Sequence, residues 1–346
     1  MTKPVLAFAI AISLIGGAAQ GADYKPPRMA DGRPSLEGYW NNGTLTRMER
    51  DAKYGTRLNL TPDELAAIEK TNDERSARLN APTPQSKGVD DLPECQSGAQ
   101  GAACGYNAGW TDPGSRVMRV GGQARTSLIT FPANGRIPPR LPTAPRVRGR
   151  LTQADAERGE SGPAGQADNP ENRSLGERCI MSFGISAGPV MTSQLYNNNY
   201  QFVQTPDHLA IWVEMVHDVR VIRIGGKHRT DGVRPYMGDS IGWWEGDTLV
   251  AETINYHPSQ NLRGASPNVK VTERFTRVGA DRIRYQFRVE DPTVWAEPWG
   301  GEYEFAASGP VYEYACHEGN YGLEGILAGA RHEEKTAAAQ GGAKSD

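Results

Sequence analysis

Between Asn197 and Phe305, apolar and polar residues alternate in short runs separated by Gly, Pro, Asn and Asp. The runs Tyr200–Thr205, Leu209–Val216, Val219–Ile224, Asp247–Ile254, Val269–Val278, Arg282–Val289 and Glu302–Ala306 are rich in β-branched and aromatic side chains, and each predicts a strand. Glu273–Val289 is the plainest hairpin. Its turn is Gly279-Ala280-Asp281, and Phe275, Tyr285 and Phe287 alternate with Arg274, Arg282, Arg284 and Arg288, so one face is core and the other is wet. Seven or eight such antiparallel strands suffice to close a barrel whose interior holds side chains or one small ligand. The expected fold is therefore mainly β: an antiparallel, lipocalin-like barrel with long loops and one or two short helices, with a β-sandwich as second choice.

Upstream of this region the pattern thins. Leu36–Trp40 predicts a short strand and Thr126–Phe131 another. Thr61-Pro62-Asp63-Glu64 predicts a helix start, with Thr61 as N-cap, Pro62 at the first helical position and Glu64 completing a capping box. Leu65, Ile68 and Leu79 give that helix an apolar stripe, which predicts packing on the sheet. Ala81–Ala103 and Leu141–Glu171 are polar, Pro- and Gly-rich connections. Residues 23–332 thus form one β-rich domain, with an N-terminal arm, helix and loops over 23–180 and the strand-rich core over 181–332. Residues 333–346 form a polar tail expected to be disordered.

Residues 1–22 have the order of a secretory signal peptide: Lys3, an apolar run from Val5 to Ile15, then small residues through Ala19, Gly21 and Ala22. No apolar run reaches the roughly 20 residues that span a bilayer. Export, to the periplasm or beyond, without a membrane anchor is expected. In an oxidising compartment the four cysteines pair, and four allow about three connectivities. Cys95 and Cys104 flank a small-residue loop, which leaves Cys179 to reach Cys316. The 38 basic and 41 acidic side chains give a formal charge of −3, which implies no nucleic-acid partner. Arg146, Arg148 and Arg150 sit among prolines as a solvated linker. Histidines at 208, 217, 228, 257, 317 and 332 show no HxH or HxxxH spacing, so no metal site is expected. Without a glycine-rich phosphate loop or dinucleotide fingerprint, no organic cofactor is expected either.

Two clusters carry candidate chemistry. In an unbroken strand, Glu214, Asp218 and Arg220 would share one face with Trp212, while His217 would lie on the other. Three ionisable groups beside an indole suit an acid/base or substrate-holding site, and the competing reading is a solvated ion-pair ladder. Tyr314, His317, Glu318, Asn320 and Tyr321 form the second cluster, pinned by Cys316. His317-Glu318 lacks the second histidine of a zinc-protease helix, because Tyr321 stands there. Gly238-Asp239-Ser240-Ile241-Gly242 fits the formal pattern of a hydrolase nucleophile elbow without the strand-turn-helix context that motif needs. Asn198, Trp212, Trp295 and Trp299, with Glu318 and Asn320, are candidate substrate-binding groups, since amides and indoles at a barrel mouth orient a ring-bearing ligand.

Distinctive motifs are Gly238-Asp239-Ser240 with Trp244-Glu245-Gly246-Asp247-Thr248-Leu249-Val250, Thr272-Glu273-Arg274-Phe275, Asn169 through Cys179, Glu214 through Arg220 and Tyr312 through Gly322, in a match that covers most of the mature chain. In them the chain resembles a large, mostly uncharacterised group of exported proteins of soil bacteria. The resemblance implies export and no particular reaction. One departure is Gly225-Gly226-Lys227-His228, where relatives carry an Asp-Gly-Arg-Pro-His turn.

Together these features predict a cofactor-independent enzyme of lyase or isomerase type acting on a small aromatic or oxygenated molecule. Glu214 or Asp218 would be the base, Arg220 the anion holder, and His317 or Tyr314 the acid. The alternative is a barrel that binds such a ligand without turnover. Oligomeric state is not legible.

Overall fold

A computed structural model describes residues 24–82, 112–144, 167–182, 188–258 and 262–342. The expected leader and the expected Cys95–Cys104 bridge lie outside the described residues. The strands are β1 (Gly38–Asn41), β2 (Arg119–Val120), β3 (Gln123–Ala124), β4 (Ile129–Phe131), β5 (Asn199–Gln204), β6 (His208–Val213), β7 (Val219–Ile224), β8 (Asp239–Glu245), β9 (Thr248–Ile254), β10 (Lys270–Gly279), β11 (Arg282–Glu290) and β12 (Trp299–Ala307). Among the described residues two α-helices join them, α1 (Pro62–Leu79) and α2 (Tyr321–Gly342).

Nine strands close a barrel in the order β1-β5-β6-β7-β8-β9-β10-β11-β12, with β12 returning to β1. The second edge of β12 is shared: Ala306 and Ala307 pair with β1, while Gly300 and Gly301 pair with β4. A Cβ on Gly301 would lie 2.0 Å from the Leu128 carbonyl oxygen, so only glycine lets that extra strand approach. All barrel pairings are antiparallel except β7 with β8, which run parallel through Arg223 opposite Ile241 and Ile224 opposite Gly242. Residues 225–238 carry the chain back to make that pairing possible, and β8 itself is a strand the sequence runs did not single out.

Alternation places Tyr200, Phe202, Phe275, Tyr285, Tyr303 and Phe305 inside, where neighbouring rings meet edge-on or tilted with centroids 4.8 to 6.0 Å apart. Such pairs contribute about 0.5–1.5 kcal/mol each beyond their buried area. The interior therefore holds side chains, the first of the two fillings the sequence allowed. Trp295 and Trp299 are both buried and T-shaped, 5.8 Å apart, as part of this core.

Three local expectations need correction. The strand expected to run through Val216 stops at Val213, because Met215 and Val216 turn into the core as a 3-10 turn. The α1 capping box forms as expected, yet no residue of α1 is buried. The stripe residues Leu65, Ile68 and Leu79 are half-buried rather than core, and polar groups add to the docking: Glu69 accepts from Val117 N at 3.2 Å and Asp73 pairs with Arg116 at 2.7 Å. The polar tail is helical as far as Gly342. Ala337, Ala338 and Ala339 are the best helix formers, and Arg331 pairs with Glu334 one turn on at 2.6 Å.

Candidate functional site

The connection from β6 to β7 is where backbone strain and buried carboxylates coincide. Val213 N donates to Asp218 O at 2.8 Å, closing the turn, and Met215 and Val216 are drawn into the apolar end of the barrel. That burial requires Val216 at φ 59° and His217 at φ 48°. A β-branched residue in the left-handed region is a true outlier, and such strain gathers at functional sites. Asn197 and Cys179 also have positive φ, so four of the six such non-glycine residues among the described ones belong to the segments meeting at this corner.

Glu214 is 4% exposed and fully engaged: its carboxylate accepts from Asn199 Nδ2 at 2.6 Å and from Tyr312 N at 3.2 Å. Asn199 is held in turn by Asn41 Nδ2 at 2.8 Å and Ser308 Oγ at 3.0 Å. These bonds tie the β6–β7 turn to β1, β5 and the segment after β12. Glu214 is thereby an anchor.

Asp218 is different. Its side chain is 8% exposed, Oδ2 accepts one bond from Ser182 N at 3.3 Å, and no donor meets Oδ1 among the described residues. Burial pushes its pKa up to about 6, against the opposing pulls of the Ser182 amide and His217. A carboxyl that titrates near the working pH suits general acid/base duty.

His217 is exposed, and its Nδ1 meets the Tyr314 carbonyl oxygen at 3.1 Å. A carbonyl only accepts, so Nδ1 carries a proton in this contact and Nε2 is left for other partners. Tyr314 is half-buried and stacks on Tyr196 at 6.4 Å with planes 9° apart. Burial and the Tyr196 hydroxyl push its phenol up to about 12, which keeps it a proton donor. The Cys179–Cys316 disulfide is present and fixes this segment to residues 167–182. Beside it, Asn320 Nδ2 approaches Cys179 Sγ and Glu177 O, both at 3.3 Å, and the Arg178 guanidinium holds Glu318.

The turn that carries Glu214, His217 and Asp218 therefore meets the segment after β12 through the Tyr312 N–H and the Tyr314 carbonyl. Arg220 and His317 do not join them. His317 is exposed; its ring meets the Glu318 carbonyl and its own carbonyl accepts from Asn320 Nδ2. Arg220 points into the barrel, whereas Trp212 is half-buried on the outer face, because the irregular turn reverses the alternation between them. Asn198 is 1% exposed and spans Asp112 O and Gln194, bracing the loop before β5.

Inside the barrel, Arg220 is held by both oxygens of Glu273, with Nη1 to Oε1 at 3.0 Å, while Nε reaches Ser240 Oγ at 3.2 Å and Nη2 reaches Thr253 Oγ1 at 3.1 Å. Tyr285 adds a bond to Glu273 at 2.7 Å. Each group has a partner, as a buried ion pair requires. Ser240 is thus a ligand of the guanidinium on an inward strand position, with none of the exposure of a nucleophile. Glu273, Ser240, Thr253 and Tyr285 were not among the expected site residues. The available signal was parity: Glu273 lies between Val271 and Phe275, both inward.

No protein-family model matches the chain, and a search of curated proteins finds no match.

Proposed function

We propose that this protein is an exported acid/base enzyme, of lyase or isomerase type, that moves a proton on a small aromatic or oxygenated molecule at the Glu214–Asp218 corner. One observation carries the reading: Asp218 is a nearly buried carboxyl with pKa near 6, one of whose oxygens meets no donor among the described residues, held in a strained turn beside His217. Asp218 acts as the base, and His217 Nε2 or the Tyr314 hydroxyl returns or relays the proton. Glu214 positions the turn. Arg220 stabilises the barrel and takes no part in holding substrate, since Glu273 already occupies both prongs of its guanidinium. The disulfide and the apolar N-terminal run support passage to an oxidising compartment.

Hydrogen–deuterium exchange into a panel of simple compounds tests this. Small aromatic and oxygenated carbonyl compounds are incubated with the mature protein in D₂O and followed by NMR. The wild type should accelerate exchange at carbon next to the carbonyl for at least one of them, and Asp218→Asn should lose roughly 100-fold or more of that rate. Saturable binding with no exchange would leave the ligand-binding reading standing and remove the enzyme.

A further inference from the structure

A second feature lies on the segment between β1 and α1 and shares no residue with the Asp218 corner. Arg50 is 2% exposed, yet no carboxylate pairs with it among the described residues. Its partners are all neutral: Nε donates to Ser127 Oγ at 3.2 Å, Nη1 to Ala133 O at 2.6 Å and Nη2 to Ile129 O at 3.4 Å. The turn Pro132–Gly135 wraps the guanidinium closely. Gly135 sits at φ +67°, and a Cβ there would come within 2.8 Å of Arg50 Cβ, Cζ and Nε. Desolvation pulls the Arg50 pKa below its ordinary value, the mark of a cation whose charge nothing nearby neutralises. A guanidinium in such a place is costly unless an anion comes to it.

Arg50 lines a surface cleft of about 460 Å³ together with Arg47, Met48, Glu49, Asp51, Ala52 and Arg136. Arg47 is exposed and makes no ion pair among the described residues. Arg136 meets Glu49 only at 3.8 Å, and both side chains are about half exposed, so that pair is weak. Asp51 is engaged in capping the short turn at Ala52–Tyr54, where it accepts from Lys53 N at 3.1 Å. Three guanidinium groups thus border one cleft against two carboxylates, one of them occupied and the other loosely held.

We infer that this cleft is a binding site for a small oxyanion, a carboxylate or a phosphate. Arg47 and Arg136 supply the reachable N–H groups and Arg50 supplies unneutralised charge in the wall beneath them. Guanidinium forks match both anions in shape and charge. Met48 and Ala52 offer a short apolar surface for whatever carries the anionic group.

Calorimetric titration of the whole protein with inorganic phosphate, and separately with succinate, against sodium chloride of equal ionic strength tests the site. At least one should bind saturably, and which one does separates a phosphate site from a carboxylate site. The double variant Arg47→Ala/Arg136→Ala alters only exposed side chains and keeps the fold, which circular dichroism checks; it should bind roughly tenfold or more weakly. Arg50→Ala is the less useful variant, because its loss also unwraps the Pro132–Gly135 turn. Absence of saturation above the chloride control, or equal affinity in the double variant, overturns the assignment.

Discussion

Replacing Asp218 by Asn should make the protein more stable at neutral pH while removing its proposed chemistry. The carboxyl titrates near 6 in the fold and near 3.8 in the unfolded chain, because burial disfavours its anion. The native state therefore holds a proton that the unfolded state has already lost between about pH 4 and pH 6. Across that window the contribution of Asp218 to stability falls as pH rises, and above it the loss of that contribution is complete. A separation of about 2 pKa units at about 1.4 kcal/mol each sets the full penalty near 3 kcal/mol. Asparagine cannot ionise and still offers an oxygen to the Ser182 amide. Urea unfolding of both proteins across this range should show near-equal stability at the acid end and an advantage for Asp218→Asn of about 1–3 kcal/mol at neutrality. Carboxylates whose pKa is lowered, such as Glu177 and Asp239, titrate in both proteins and cancel in the difference. A difference that is flat with pH, or that favours the wild type at neutrality, would refute the burial argument and with it the assignment of Asp218 as base.

Breaking the ion pair inside the barrel should be severe. Glu273→Gln leaves the Arg220 charge unpaired and should cost about 3–5 kcal/mol in denaturant unfolding. Arg220→Lys should also destabilise, since an ammonium cannot span both carboxylate oxygens together with Ser240 and Thr253. Cys179→Ser should cost about 2–5 kcal/mol, because the bridge closes a long loop, 137 residues in sequence separation. It should also loosen Tyr314 from His217, read as faster hydrogen exchange in the segment after β12.

Strand identity is legible wherever alternation is clean. Phe275 opposite Tyr285 and the wet arginine face of the β10–β11 hairpin follow directly from period-two spacing. What alternation does not convey is the turn after Val213. Ile211 and Arg220 face each other across β6 and β7, both inward, though they are separated by an odd number of positions. Unbroken alternation would set them on opposite faces, but the turn from Glu214 to Asp218 is not strand and resets the phase, as the β5–β6 turn does for Phe202 and Ile211. That single irregularity moves Arg220 from the expected site into the core and leaves Trp212 outside. Glu214, Asp218 and Tyr314 are legible as a polar cluster, but their separate roles depend on hydrogen bonds to Asn199, Ser182 and Tyr196 that no local spacing encodes. In the tail, polarity points to disorder while alanine content points to helix, and the alanines decide it.

The position of β1 has a consequence for how the molecule reaches its fold. This four-residue strand is the keystone of the ring: it bonds to β5 on one side and to the last strand, β12, on the other. Its Trp40 is buried with an indole bond to Leu36 O at 3.1 Å, so it is part of the core from which the wall is built. Residues near position 40 thus wait for partners near position 306 before either edge is satisfied, and contacts so distant in sequence form late and slowly. A chain of this design stays open along one seam until nearly all of it is present. Until residues near 306 arrive, β1 keeps one unsatisfied edge, so the two ends of the barrel sequence fold as one unit or leave the ring open.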